Sequence, residues 1–141
     1  MRSLKVMAGL LALLLVAGAC GYGETTAATT TTEEPSVTPD FEVAVALSEW
    51  AVGAEASVGR GEVRFNVTNG GGTVHQLAIY RGGSLSGDSI DGGELIGRTG
   101  NIRADGTDAL QVSLDPGSYW LVCPISGHTA AGMSAELTVG S

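Results

Sequence analysis

The chain has 141 residues, 43% of them apolar and only 16% charged, and carries a net charge of −8 from 15 acidic and 7 basic side chains. That length holds one domain with a single core, and the negative balance excludes nucleic acid as a partner, because neutralising phosphates needs a basic face. Arg2 and Lys5 lie within the first five residues; once they are set aside, 5 basic residues face 15 acidic ones, a net of −10. Such a charge keeps a domain soluble and steers it toward a basic partner.

Taken in order, the first element reads as an export signal. Arg2 and Lys5 flank the start of an apolar run from Val6 to Val16, which has signal-peptide length and is too short to span a bilayer. It ends in Val16-Ala17-Gly18-Ala19-Cys20, which resembles the lipobox of bacterial lipoproteins. The resemblance implies removal of residues 1–19 and a lipid on Cys20, placing the protein outside the cytoplasm, anchored to the membrane and facing the periplasm or the cell exterior. Residues 20–40 are rich in Thr and contain Glu24, Glu33, Glu34, Pro35 and Pro39. They are too poor in apolar side chains to build a core and read as a flexible tether, about 25 Å long on average at the 5–6 Å × √n of such chains. With Cys20 assigned to the lipid, Cys123 is left as a lone thiol in an oxidising compartment, where it needs burial or a metal to explain it.

Residues 41–141 alternate apolar and polar side chains in short runs. Phe41, Val43, Val45 and Leu47 share one parity, as do Val63, Phe65 and Val67; His75, Leu77 and Ile79 follow, then Leu110, Val112 and Leu114, then Tyr119, Leu121 and Cys123, and last Ala135, Leu137 and Val139. A period of two broken by Gly, Asn and Asp describes half-buried antiparallel strands. The predicted fold is all-β, a Greek-key sandwich of about seven to eight strands. Leu114-Asp115-Pro116-Gly117-Ser118-Tyr119 resembles the tyrosine corner of such sandwiches. Arg81 to Gly93 is the one long irregular piece and reads first as a plain crossover between sheets, with a flap near the site as the alternative that its composition leaves open.

Chemistry concentrates in Cys123-Pro124-Ile125-Ser126-Gly127-His128-Thr129-Ala130-Ala131-Gly132-Met133, which sets a thiolate, an imidazole and a thioether on one loop. Two histidines and a cysteine with a weak axial methionine make an electron-transfer copper site, the soft sulfur favouring Cu(I) and the imidazoles serving both oxidation states. Outside the loop the chain has one further histidine, His75, and its parity points it, like Cys123, into the sandwich. Structural zinc is the weaker competitor, since thioether is a poor zinc ligand. Ser126 near His128 lacks the orienting acid that a nucleophile would need in the Thr129–Gly132 stretch, so no enzyme activity is expected.

The C-x₄-H-x₄-M spacing, preceded by Pro116-Gly117-x-Tyr119 and followed by Glu136-Leu137-Thr138-Val139, resembles the cupredoxins, and most of all their rusticyanin-like and auracyanin-like members. Phe65-Asn66-Val67-Thr68-Asn69-Gly70 resembles the strand that leads to the family's first histidine. The resemblance implies one copper ion with His75, Cys123 and His128 as equatorial ligands and Met133 as the axial one. It further implies a monomeric carrier that exchanges single electrons with protein redox partners through the His128 edge, ringed by Ile125, Ala130 and Ala131. Two departures stand out: Gln76 replaces the Asn that commonly ties the two ligand segments together, and Pro124 offers no N–H, leaving the Ile125 amide as the expected donor to the thiolate. The alternative function is copper handling, in which an exported carrier or chaperone stores or delivers the ion.

Overall fold

The structure is a computed structural model, and it describes residues 37–141. The predicted signal, Cys20 and most of the tether lie outside these residues. Eleven strands follow one another: β1 Phe41–Ser48, β2 Ala51–Gly53, β3 Ser57–Gly59, β4 Gly61–Asn69, β5 Ala78–Arg81, β6 Ser84–Ser86, β7 Ser89–Asp91, β8 Glu94–Arg98, β9 Thr107–Leu114, β10 Gly117–Val122 and β11 Ser134–Gly140. Among the described residues there is no helix.

The strands form one four-stranded sheet in the order β2-β1-β4-β9, one five-stranded sheet in the order β3-β11-β10-β5-β8, and a separate β6-β7 hairpin. Both large sheets are mixed. β1 runs parallel to β4 and β3 parallel to β11, where alternation had suggested antiparallel pairing throughout. Period two reports which face is buried and is silent on strand direction. The higher strand count comes from three-residue pieces, β2, β3, β6 and β7, too short for alternation to register.

The core lies between the two sheets. Val43, Val45 and Leu47 of β1 and Val63, Phe65 and Val67 of β4 face Ile79, Tyr119, Leu121, Leu137 and Val139 from the other sheet, all buried. Removing such side chains from water is the main favourable term in folding. Phe41 has the inward parity but sits at the strand end, 40% exposed, with its ring over Gly59, where a Cβ would clash with it. Tyr119 confirms the corner: its hydroxyl donates to the Asp115 carbonyl at 2.9 Å. Val37 and Asp40 are already bound to the domain, since the Gln111 side-chain amide donates to the Val37 carbonyl at 2.8 Å and the Asp40 amide to that of Glu62 at 2.8 Å.

Arg81–Gly93 is not a plain crossover. It holds the β6-β7 hairpin, and the Asp88 carboxylate in its turn accepts the Ala130 amide at 2.9 Å and also the Gly127 amide. Irregular composition hid this, because Gly and Ser lower strand propensity without preventing a two-strand ribbon.

Candidate metal centre

His75 lies between β4 and β5 and is held from both sides. Its amide and carbonyl exchange hydrogen bonds with Ile102 at 3.0 and 2.9 Å, and two residues on the Leu77 amide donates to the Thr99 hydroxyl while its carbonyl accepts the Thr99 amide, both at 2.9 Å. Upstream, the buried side chain of Asn69 donates to the carbonyls of Thr73 and Ile102 at 2.8 and 2.9 Å and accepts from the Gly71 amide at 2.9 Å. One asparagine thereby ties β4, the Gly-rich turn and the segment after β8 into a frame around His75.

Cys123 follows β10 directly, and the loop after it closes on itself. The Cys123 amide donates to the Met133 carbonyl at 3.1 Å and the Met133 amide to that of His128 at 3.0 Å. The buried Thr129 hydroxyl donates to the Cys123 carbonyl at 2.7 Å. Gly132 takes a φ of +119° there, and a Cβ on it would stand 3.1 Å from the Trp50 carbonyl oxygen, so glycine meets a conformational and a steric demand at once.

The structure brings three of the predicted donors together. His75 Nδ1 is 3.2 Å from His128 Nδ1, and Cys123 Sγ lies 4.0 Å from the first and 3.4 Å from the second. A point equidistant from all three stands about 2.1 Å from each, within the roughly 2.0–2.3 Å that a divalent first-row ion keeps to imidazole nitrogen and thiolate sulfur. The donor set therefore fits a metal, and thiolate with two imidazoles fits copper. Met133 is fully buried, its backbone bonded to both Cys123 and His128. His75 and Cys123 are fully buried as well, while His128 is half-buried and reaches the edge of the site.

The donor to the sulfur is the Gln76 amide, at 3.5 Å, and not that of Ile125. The Gln76 side chain binds Asn101, so it braces the His75 segment against the loop after β8 and does not reach the Cys123 loop. Cross-linking of that loop falls to Asp88, whose carboxyl is held below its ordinary range by the amides of Ala130 and Gly127.

Sequence reasoning missed the β1-β2 turn altogether. Ser48 pairs with Ala51, leaving Glu49 and Trp50 as a two-residue connection. The Trp50 ring packs edge-on against His128, centroids 5.0 Å apart, and stays 48% exposed. The Glu49 carboxylate accepts from the Gly72 amide at 3.1 Å and from the Thr73 amide and hydroxyl at 2.8 Å each, and it lies 3.2 Å from His75 Nε2. These bonds, the Thr73 hydroxyl first and then the amides of Thr73 and Gly72, lower its pKa to about 2. Nothing local marks either residue, because both stand more than 20 positions upstream of the histidine they touch.

The model of the sulfocyanin (SoxE) domain matches residues 97–141, a span that contains Cys123, His128 and Met133. Among solved structures, auracyanin B superposes with a TM-score of 0.61 at 21% identity, over 74% of this chain and 92% of its own. Rusticyanin from Thiobacillus ferrooxidans gives 0.57 at 20% identity, over 74% of this chain and 84% of its own. Auracyanin A, a "blue" copper protein from Chloroflexus aurantiacus, gives 0.56 at 16%, over 70% and 98%. The chain is a cupredoxin in fold. Among curated proteins no sequence match is found. His75 lies outside the sulfocyanin match, so its place in a cupredoxin site rests on the fold and on the distances above. A surface hollow lined by Phe41, Glu42, Glu55, Ser57 and Val58 includes none of the metal-site residues.

Proposed function

We propose that this protein, cupredoxin in fold, is a one-electron carrier whose His75, Cys123, His128 and Met133 hold a single type 1 copper. The observation that carries the reading is the Nδ1, Nδ1, Sγ triangle, which has the size of a coordination sphere. Bound copper would supply the Cu(I)/Cu(II) couple. The chain supplies constancy: three of the four residues are fully buried and exclude water, and the closed hydrogen bonding of the 123–133 loop limits how far the donors shift when charge changes. His128, half-exposed and flanked by Trp50, Ile125, Ala130 and Ala131, is the edge at which a redox protein would dock. Small, weak contacts suit such a shuttle, and the acidic balance favours a basic partner.

The protein is further read as exported and anchored to the membrane through Cys20, on the strength of the sequence from Arg2 to Cys20. The test is spectroscopic. The copper-loaded protein should show an intense thiolate-to-copper band that ascorbate bleaches without release of metal. Cys123→Ser should lose the band and remain folded. Survival of the band in that variant sinks the ligand assignment, and rapid surrender of copper to a chelator favours a copper carrier over an electron shuttle. Intact mass of the native protein should show a lipid on Cys20; an unmodified Cys20 ends the anchor reading.

A further inference from the structure

The β1-β2 turn places one side chain on each histidine, and that of Glu49 is an anion without a matching cation. Among the described residues the ion pairs are Arg81 with Asp115 and Glu49 with His75, so no Lys or Arg offsets Glu49. Its side chain is 30% exposed, and three bonds from the Gly72-Thr73 backbone and the Thr73 hydroxyl aim the carboxylate. The fourth contact is to Nε2 of His75, the nitrogen facing away from Cys123 and His128.

We propose that Glu49 is a positioning residue for the metal centre: its carboxylate accepts the Nε2 proton of His75, keeps Nδ1 bare and turned toward Cys123 and His128, and biases the couple toward the oxidised ion. The inference rests on the copper reading above. Its physical basis is that a proton fixed on one ring nitrogen leaves the other as the ligand, and that a carboxylate behind a ligating imidazole raises its basicity. The charges give the direction. Cu(II) with a thiolate carries one net positive charge and Cu(I) with a thiolate carries none, so a nearby anion attracts only the oxidised centre.

A purely structural Glu49 would only anchor the 71–74 turn, and the experiment separates the two roles. Redox titration of copper-loaded Glu49→Gln should shift the Cu(II)/Cu(I) ratio at fixed potential toward Cu(I) by about tenfold, which is about 59 mV higher for a one-electron couple. Thr73→Val loses the hydroxyl's bond to Glu49 and its 3.5 Å contact with His75 Nε2 but keeps the Glu49 charge, and it should move the ratio by no more than about twofold. In the metal-free wild type at neutral pH, ¹⁵N spectra of the imidazoles should show His75 protonated on Nε2 and bare on Nδ1. An unchanged potential in Glu49→Gln with its thiolate band intact overturns the proposal, as does an equal shift in Thr73→Val. Should Glu49→Gln fail to fold, the wild-type tautomer decides, and a proton on Nδ1 refutes the positioning. Absence of the thiolate band from the wild type would fell the copper reading instead, leaving the tautomer measurement to judge Glu49 by itself.

Discussion

Replacing Asn69 with leucine tests whether one buried amide builds the frame around His75. Leucine has the same number and branching of side-chain heavy atoms, but three hydrogen bonds disappear together: those to the Thr73 and Ile102 carbonyls and that from the Gly71 amide. Asn69 is fully buried, so these backbone groups lose their partner where water reaches them poorly. At about 1 kcal/mol net for each bond, the loss is about 3 kcal/mol, a large share of the 5–15 kcal/mol that holds a typical domain folded. For a domain of this size each kcal/mol moves Tm by about 4–8 °C, so the metal-free protein should melt roughly 12–24 °C lower. The assay is thermal unfolding followed by circular dichroism, with urea unfolding as a second measure of ΔG. Asn66 on the same strand is the control; its side chain bonds only to exposed partners, and Asn66→Ala should cost no more than about 0.5 kcal/mol. A loss below about 1 kcal/mol in Asn69→Leu would refute the reasoning, because it would mean that the backbone groups find other partners at little cost.

Two further outcomes follow from the ligand loop. Met133→Leu should keep the blue band and titrate at a higher potential, while Met133→Gln, bringing an amide oxygen that favours Cu(II), should titrate lower; an unchanged potential in Met133→Leu with copper still bound would remove Met133 from the ligand set. Asp88 has its folded pKa lowered from 3.8 by the Ala130 and Gly127 amides. Its contribution is therefore present above the unfolded value and lost as pH falls through the folded one. The difference in Tm between the metal-free wild type and Asp88→Asn should be constant near neutrality and shrink below about pH 4; a difference that does not change with acid would refute the brace.

How much of this was legible in the sequence depends on how far apart the partners stand. The C-x₄-H-x₄-M loop could be read directly because Cys123, His128 and Met133 share one closed turn, so spacing alone limits where their side chains can go. Parity carried the next step: Val43, Phe65, Leu121 and Cys123 face inward because strand side chains alternate strictly, and all four are buried. Tyr119 was legible for the same local reason, its partner lying four positions upstream.

Direction of pairing was not, because a parallel β1-β4 ladder and an antiparallel one bury the same side chains. Nor were the groups that complete the site. Asp88 stands 39 positions from Gly127 and Glu49 stands 26 from His75, and loops of that length leave many closures open to the chain. The sandwich chooses among them. Seating β1 beside β4 carries the Glu49-Trp50 turn to the end where His75 and His128 meet, and the β6-β7 hairpin is brought over the 123–133 loop. The sequence alone therefore determined which residues could bind the metal, since ligand chemistry resides in side-chain type and short spacing. Only the tertiary structure decided which carboxylate, amide and ring would surround them, since those contacts exist only once the two sheets have packed.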